Sequence, residues 1–336
     1  MLGMLNLDAP RAQLAQPLGE LLDEVALIFE RQLASELSAV NALCTHIERY
    51  RGKMLRPTLM LVSGMASATG ERPPDQPAVT RRHLVLAAVV EMIHMATLVH
   101  DDVLDEAQVR RNAATLNHLR GNEAAVMLGD FLISNAFHLC STLGDPSINL
   151  ALGAITNTVC AGELVQLHNR NNFDIDEATY FDIIRRKTAS LIGACCEMGA
   201  LLSEATESTA AALRRFGEAL GIAFQIQDDL LDLTGEESTV GKSLGKDLDK
   251  GKLTLPMIRH LAAVNVEKRA RALETVQAGD VGALRLQLRE SGAVESSRAT
   301  AAALVANAKN ELSAITLSPA GALLEALADA VINRKA

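Results

Sequence analysis
The sequence predicts an all-α fold, and three observations carry that prediction. Ala and Leu, the strongest helix formers, make up much of the apolar 49% of the 336 residues. Aromatic residues, on which β-sandwiches and barrels draw, are only 3%, with no Trp. Apolar residues recur at three- and four-residue spacing from Leu18 onward, as in Leu21, Leu22, Val25, Ile28, Phe29 and Leu33. So much apolar side chain excludes a disordered chain, and 22 Gly with 9 Pro exclude a collagen-like or linker-rich one. A frayed N-terminus over 1–16 and one large helical domain over 17–336 are expected.

After the first helix, the same periodicity predicts helices near 56–69, 81–104, 122–142, 147–168, 176–203, 206–234 and 254–275. A last one spans 293–334, broken near Pro319. Segments 84–99 and 191–202 are apolar nearly all round, as in helices buried inside a large bundle. Turn residues cluster at Gly70 to Pro77, at Gly144-Asp145-Pro146 and at Asn169 to Asp174. No interdomain linker and no short repeat stands out.

A formal charge of −9 argues against nucleic acid, which needs a basic face, but leaves room for an anion held through a metal. Cys44, Cys140, Cys160, Cys195 and Cys196 form no C-x-x-C pair and read as reduced thiols of a cytoplasmic protein. Met1 to Pro17 lacks the pattern of a cleaved signal peptide. The apolar stretch 84–99, interrupted by Glu91 and His94, is too short to span a bilayer, so no membrane anchor is expected.

Two short motifs carry chemistry. Asp101-Asp102-Val-Leu-Asp105 and Asp228-Asp229-Leu-Leu-Asp232 each end an apolar helix. Residues three or four apart on a helix share one face, about 5–6 Å apart at Cβ. Each motif therefore presents three carboxylates in one direction, which repel strongly unless cations lie between them. Hard oxygen ligands with room for water and phosphate suit Mg²⁺. One copy could be a solvated acidic helix end; two copies alike in spacing and placement make that reading weak. Facing each other, they would clamp a polyanion such as a diphosphate.

Basic residues that could touch phosphate directly accompany them. Lys53 and Arg56 lie in Arg51-Gly52-Lys53-Met-Leu-Arg56-Pro57, a glycine-led helix start of the kind that holds anions. Arg110 and Arg111 follow the first motif, Lys187-Thr188 lies among small apolar residues, and Lys242 and Lys252 fall in the charge-mixed stretch 235–252. His94, about two helical turns before Asp101, is a core histidine or a phosphate donor. No zinc-type histidine pair, Walker A or Gly-x-Gly-x-x-Gly fingerprint occurs.

These residues resemble the trans-isoprenyl diphosphate synthase (polyprenyl synthetase) family. The matching pieces are Gly52 to Pro57, Glu91-Met-Ile-His94 through Asp105 with Arg110-Arg111, and Gly129-Asp130-Phe131-Leu132. Lys187-Thr188-Ala189, Gly221 to Asp232 with Phe224-Gln225, and Gly241-Lys242 through Asp247 to Pro256 continue the match in family order. The resemblance implies an all-α fold around a deep central cavity, in a homodimer. It implies a prenyltransferase that joins isopentenyl diphosphate head-to-tail to an allylic diphosphate. Asp101, Asp102, Asp105, Asp228, Asp229 and Asp232 would hold Mg²⁺, three ions per site, bridging the allylic diphosphate. Arg110, Lys187, Thr188, Gln225 and Lys242 would assist that diphosphate. Lys53, Arg56, His94 and Arg111 would hold isopentenyl diphosphate, with Lys252 also counted among the substrate-binding residues.

Product length is read from the first motif's helix. Thr97 and Ala96, four and five residues before Asp101, are small, and Ile93 continues that wall with a modest side chain. No bulky floor stands there, so the expected product is geranylgeranyl or longer, with a farnesyl synthase as the alternative. A class I terpene cyclase fits less well, because its second metal motif mixes Asn, Ser and Glu and its cavity is rich in aromatics. A non-catalytic regulatory subunit would be expected to have lost aspartates that are all present here.

Overall fold
Helix-forming side chains set the backbone almost everywhere in the computed structural model, which describes residues 9–47, 52–68, 78–111, 113–235, 245–313, 315 and 318–333. In chain order the helices begin with α1 (Ala9–Leu33), α2 (Ser38–Cys44), α3 (Leu55–Ser67) and α4 (Arg81–Leu104). The hairpin strands β1 (Val109–Arg110) and β2 (Ala113–Ala114) follow, then α5 (Leu116–Arg120), α6 (Asn122–Ser141), α7 (Pro146–His168) and α8 (Glu177–Ile184). A π-helical turn (Arg185–Ala189) leads into α9 (Ser190–Leu202) and α10 (Glu207–Thr234). The remainder is α11 (Lys246–Asp249), α12 (Leu255–Ala263), α13 (Val266–Gln277), α14 (Val281–Glu290), α15 (Ala293–Glu311) and α16 (Pro319–Ile332).

Several boundaries differ from the periodicity, each for a local reason. The first helix starts at Ala9, well before Leu18; its alanines favour helix, Pro10 is tolerated in the first turn, and Pro17 costs one interior hydrogen bond. The expected helix 254–275 is two helices, because the Asn265 side chain accepts from Lys268 N at 3.0 Å and starts α13 afresh. Helix α14 has no counterpart among the expected helices; Asp280 caps it by accepting from Ala283 N at 2.9 Å. The helix expected over 176–203 is continuous except for its π turn. The last helix breaks before Pro319, in line with its periodicity.

The chain forms two compact units. One comprises Met1–Thr156, Leu191–Phe216 and Glu311–Leu327, the other Asn157–Ser190, Gly217–Asn310 and Ala328–Ala336. The first unit is built around α4, whose Leu84 to Val90 run is buried without interruption and which packs against α1, α3 and α6. Its N-terminus is fixed by His83: Nδ1 accepts from Thr80 N at 3.1 Å, which leaves the proton on Nε2 to reach Gly199 O at 3.1 Å. The second unit's core gathers Tyr180, Ile184, Ile226, Leu230 and Leu233 with Met257, Leu284 and Val294.

Among the described residues, length and composition alone bring three helices into the membrane-spanning range, a correction to the expectation that the apolar stretch is too short: α4, α6 and α7. The apolar run of α4 continues past Glu91 and His94 to a full 24-residue helix. Its most apolar window is 78% buried within the protein, which accounts for its character, against 39% for α6 and 22% for α7.

Candidate active site
The first aspartate motif ends α4, and its three carboxylates do different things. Asp102 is 1% exposed, and its Oδ1 receives both Nε and Nη2 of Arg110 at 2.8 Å. The β1–β2 hairpin, paired as Val109 with Ala114 and Arg110 with Ala113, turns the chain back so that Arg110 reaches it. Asp101 and Asp105 remain partly exposed one helical turn apart, linked by Asp105 N donating to Asp101 O at 2.8 Å. Asp102 anchors Arg110 from a buried position, while the carboxylates of Asp101 and Asp105 are partly exposed.

In the same unit, basic residues from two stretches of chain converge on His94. Burial pushes the His94 imidazole well below its ordinary pKa, and the nearby Arg56, Arg111 and Arg110 guanidiniums push it the same way. Arg56, at the start of α3, lies beside the buried Glu91. Arg111, in left-handed backbone at φ 49°, lays its guanidinium so closely across Gly52 that a Cβ there would overlap it. Lys53 is exposed on the same turn. A neutral imidazole among three guanidiniums is a place built for an anion. Since unfolded His94 titrates near 6.5 and the folded group lies below that, its contribution to stability is present above 6.5 and lost as pH falls below it. The melting temperature of the wild type is therefore expected to drop more between pH 7 and pH 5 than that of His94→Gln; parallel drops would contradict this placement.

In the second unit, α10 carries Asp228, Asp229 and Asp232. Asp228 and Asp232 are partly exposed one turn apart, whereas Asp229 is 4% exposed. Tyr180 Oη donates to Asp229 Oδ2 at 2.6 Å, and Gln225 Nε2 donates to Oδ1 at 2.9 Å. Burial and then the Asp247 carboxylate push Asp229 well above the ordinary carboxylate range, against the pull of those two donors. Asp247 N reaches Asp232 Oδ2 at 3.3 Å, and Lys252 N donates to Asp247 O at 2.8 Å, so the returning chain is fastened to the motif.

Lys187 and Thr188 lie in the π turn, where the wider coil redirects them out of the α8–α9 register. Two glycines make room for it. A Cβ on Gly162 of α7 would meet Arg186 Cβ and Lys187 N at 2.7 Å, and one on Gly221 of α10 would meet Ala189 Cα at 2.6 Å. Lys187 Nζ pairs with Glu163, and Thr188 Oγ1 donates to Gln225 Oε1 at 3.0 Å. Glu163, Tyr180 and Gly162 carry no motif that distinguishes them in the sequence. Lys242 lies outside the described residues.

Among the described residues, no group of three or more His, Cys, Asp or Glu closes around a metal position. The donors nonetheless fit Mg²⁺: each motif offers two partly exposed carboxylates one turn apart, and this ion keeps waters and phosphate oxygens rather than an all-protein cage. Of the residues expected to set product length, Ile93 and Ala96 are 1% and 0% exposed. Thr97 is partly exposed, on the face that also carries His94 and Asp101, and its hydroxyl donates to His94 O at 2.8 Å.

Known proteins share this architecture. The solved decaprenyl diphosphate synthase of Rhodobacter capsulatus matches with a TM-score of 0.86 at 34% identity, over 97% of this chain and 99% of that one. The polyprenyl synthase of Caulobacter crescentus, solved with calcium and isoprenyl diphosphate, matches with a TM-score of 0.87 at 30% identity, over 97% and 98%. The class is thus a prenyl-transferring enzyme of the all-α isoprenoid synthase fold. Heptaprenyl diphosphate synthase component 2 of Geobacillus stearothermophilus is 33% identical over 92% of this chain and 95% of its own length. With the polyprenyl synthetase model also matching residues 38–285, the chain belongs to the polyprenyl synthetase family.

Proposed function
We propose that the enzyme condenses isopentenyl diphosphate head-to-tail with an allylic diphosphate, assisted by Mg²⁺, and releases an all-trans polyprenyl diphosphate of geranylgeranyl length or longer. The observation that carries this reading is the set of guanidiniums around neutral His94, in a unit whose α4 also presents Asp101 and Asp105. Asp101, Asp105, Asp228 and Asp232 have the accessible carboxylates and are the metal ligands. Asp102 and Asp229 stand behind them, holding Arg110 and accepting from Tyr180 and Gln225. Bound Mg²⁺, three ions per site in this reading, supplies positive charge where the departing pyrophosphate becomes negative.

Lys187, Thr188, Gln225, Arg110 and Lys242 orient the allylic diphosphate, so that its C–O bond breaks with the electron pair leaving on pyrophosphate. Lys53, Arg56, His94, Arg111 and Lys252 bind isopentenyl diphosphate and aim its double bond at the allylic carbon. One C–C bond forms, and the proton lost from the isopentenyl unit goes to pyrophosphate, so no side-chain base is required. Arg56→Gln is expected to raise KM for isopentenyl diphosphate about 10- to 100-fold, the worth of one charged hydrogen-bonding pair, with the allylic KM little changed. Steady-state kinetics with each substrate varied in turn would show it; an equal rise in both would contradict the division of roles.

A homodimer is part of this reading, and several large apolar side chains are open to a partner. Met127 on α6 is 62% exposed, and on α7 Leu150 is 77% and Leu164 66% exposed. The free thiols are in keeping with a cytoplasmic protein.

A further inference from the structure
Tyr180 is a polar group that this chemistry leaves without a task. It lies on α8, seven residues before Lys187, 4% exposed, in a core with Ile184, Ala189, Ile226 and Leu230. A phenol hydroxyl buried there needs a partner. Its bond to Asp229 Oδ2, at 2.6 Å, is a short O–H···O hydrogen bond. Gln225 completes the clamp, with Nε2 on Asp229 Oδ1 at 2.9 Å and Oε1 taking Thr188 Oγ1 at 3.0 Å. The amide has one workable orientation, because turning it over would set its oxygen against the carboxylate. A directed path therefore joins Tyr180, Asp229, Gln225 and Thr188, next to Lys187.

We propose that Tyr180 is a positioning residue: acting through Asp229, it fixes the turn of α10 that carries Asp228 and Asp232. The inference rests on the reading of those two carboxylates as Mg²⁺ ligands for a diphosphate. Successive helix residues are about 100° apart, so pinning Asp229 to α8 sets the direction in which the neighbouring Asp228 and Asp232 stripe points. Without the hydroxyl, Asp229 is left buried with one of these two donors, and the turn loses its registration against α8. Tyr180 itself touches no substrate, so it governs how tightly metal and diphosphate are held.

The test compares wild type with Tyr180→Phe by calorimetric titration of Mg²⁺ with inorganic pyrophosphate, where no turnover occurs. Removing an outer partner of this kind is expected to weaken binding roughly tenfold while leaving KM for isopentenyl diphosphate unchanged; binding within twofold of wild type overturns the proposal. In an Asp229→Asn background the same substitution is expected to add little, and a fully additive loss also overturns it. Should Tyr180→Phe fail to fold, the chain's having only Tyr50 and Tyr180 gives another readout. In 3-fluorotyrosine-labelled protein, with Tyr50→Phe for assignment, the Tyr180 ¹⁹F resonance is expected to shift when Mg²⁺ and pyrophosphate bind. An unmoved resonance in protein that does bind them overturns the role of Tyr180 alone. Wild type that binds neither overturns the metal-site reading, and this inference with it.

Discussion
Asp228→Asn is expected to lower kcat/KM about a thousandfold or more, which corresponds to roughly 4 kcal/mol of transition-state stabilisation. The size follows from what the carboxylate does in the proposed chemistry. Breaking the allylic C–O bond puts charge on the departing pyrophosphate, and cations held by Asp228 and its one-turn neighbour Asp232 offset it. Asparagine keeps the shape but forfeits the charge that binds the ion. Both carboxylates are partly exposed, unlike Asp229, so the substitution leaves the core of the second unit intact. Initial rates at saturating Mg²⁺ would show the loss with an unchanged melting temperature. A fall of less than tenfold would mean that the second motif does not carry the metal.

The second large effect concerns what the enzyme makes. Thr97→Phe is expected to shorten the longest product towards farnesyl length. Thr97 is about 6 Å along the helix from Asp101, partly exposed on the face that carries His94 and Asp101. A phenyl ring at that position blocks the path of a growing chain. Ala96→Phe is the less clean experiment, since Ala96 is 0% exposed and a ring forced into close-packed surroundings costs about 1–3 kcal/mol. Any shortening it causes would come with a lowered melting temperature. Chromatographic sizing of Thr97→Phe products settles the matter, and a wild-type distribution would contradict the placement of the chain along α4.

The two aspartate helices and their order were legible in the sequence, because a long apolar run that stops at clustered carboxylates stands out in one dimension. Which carboxylate of each triad is buried was not legible. Asp101 and Asp102 are neighbours of identical chemistry, and their division of labour depends on a two-residue strand that turns Arg110 back onto Asp102. Strands that short leave no periodic trace. The π turn was equally hidden, since it arises from two glycines on other helices that let the backbone of 186–189 come close. Tyr180 has the sequence surroundings of an ordinary core aromatic, and only its hydroxyl's partner, 49 residues away in sequence, distinguishes it. The break between α12 and α13 could have been found: Asn265 stands immediately before its helix as a cap should.

The most direct measurement is product analysis with the unmodified protein, labelled isopentenyl diphosphate and each allylic primer in turn, with Mg²⁺ and with a chelator. Mg²⁺-dependent incorporation is expected with at least one primer, giving products of geranylgeranyl length or longer. Incorporation that ignores the chelator, products that stop at farnesyl length, or no elongation of any primer would contradict it.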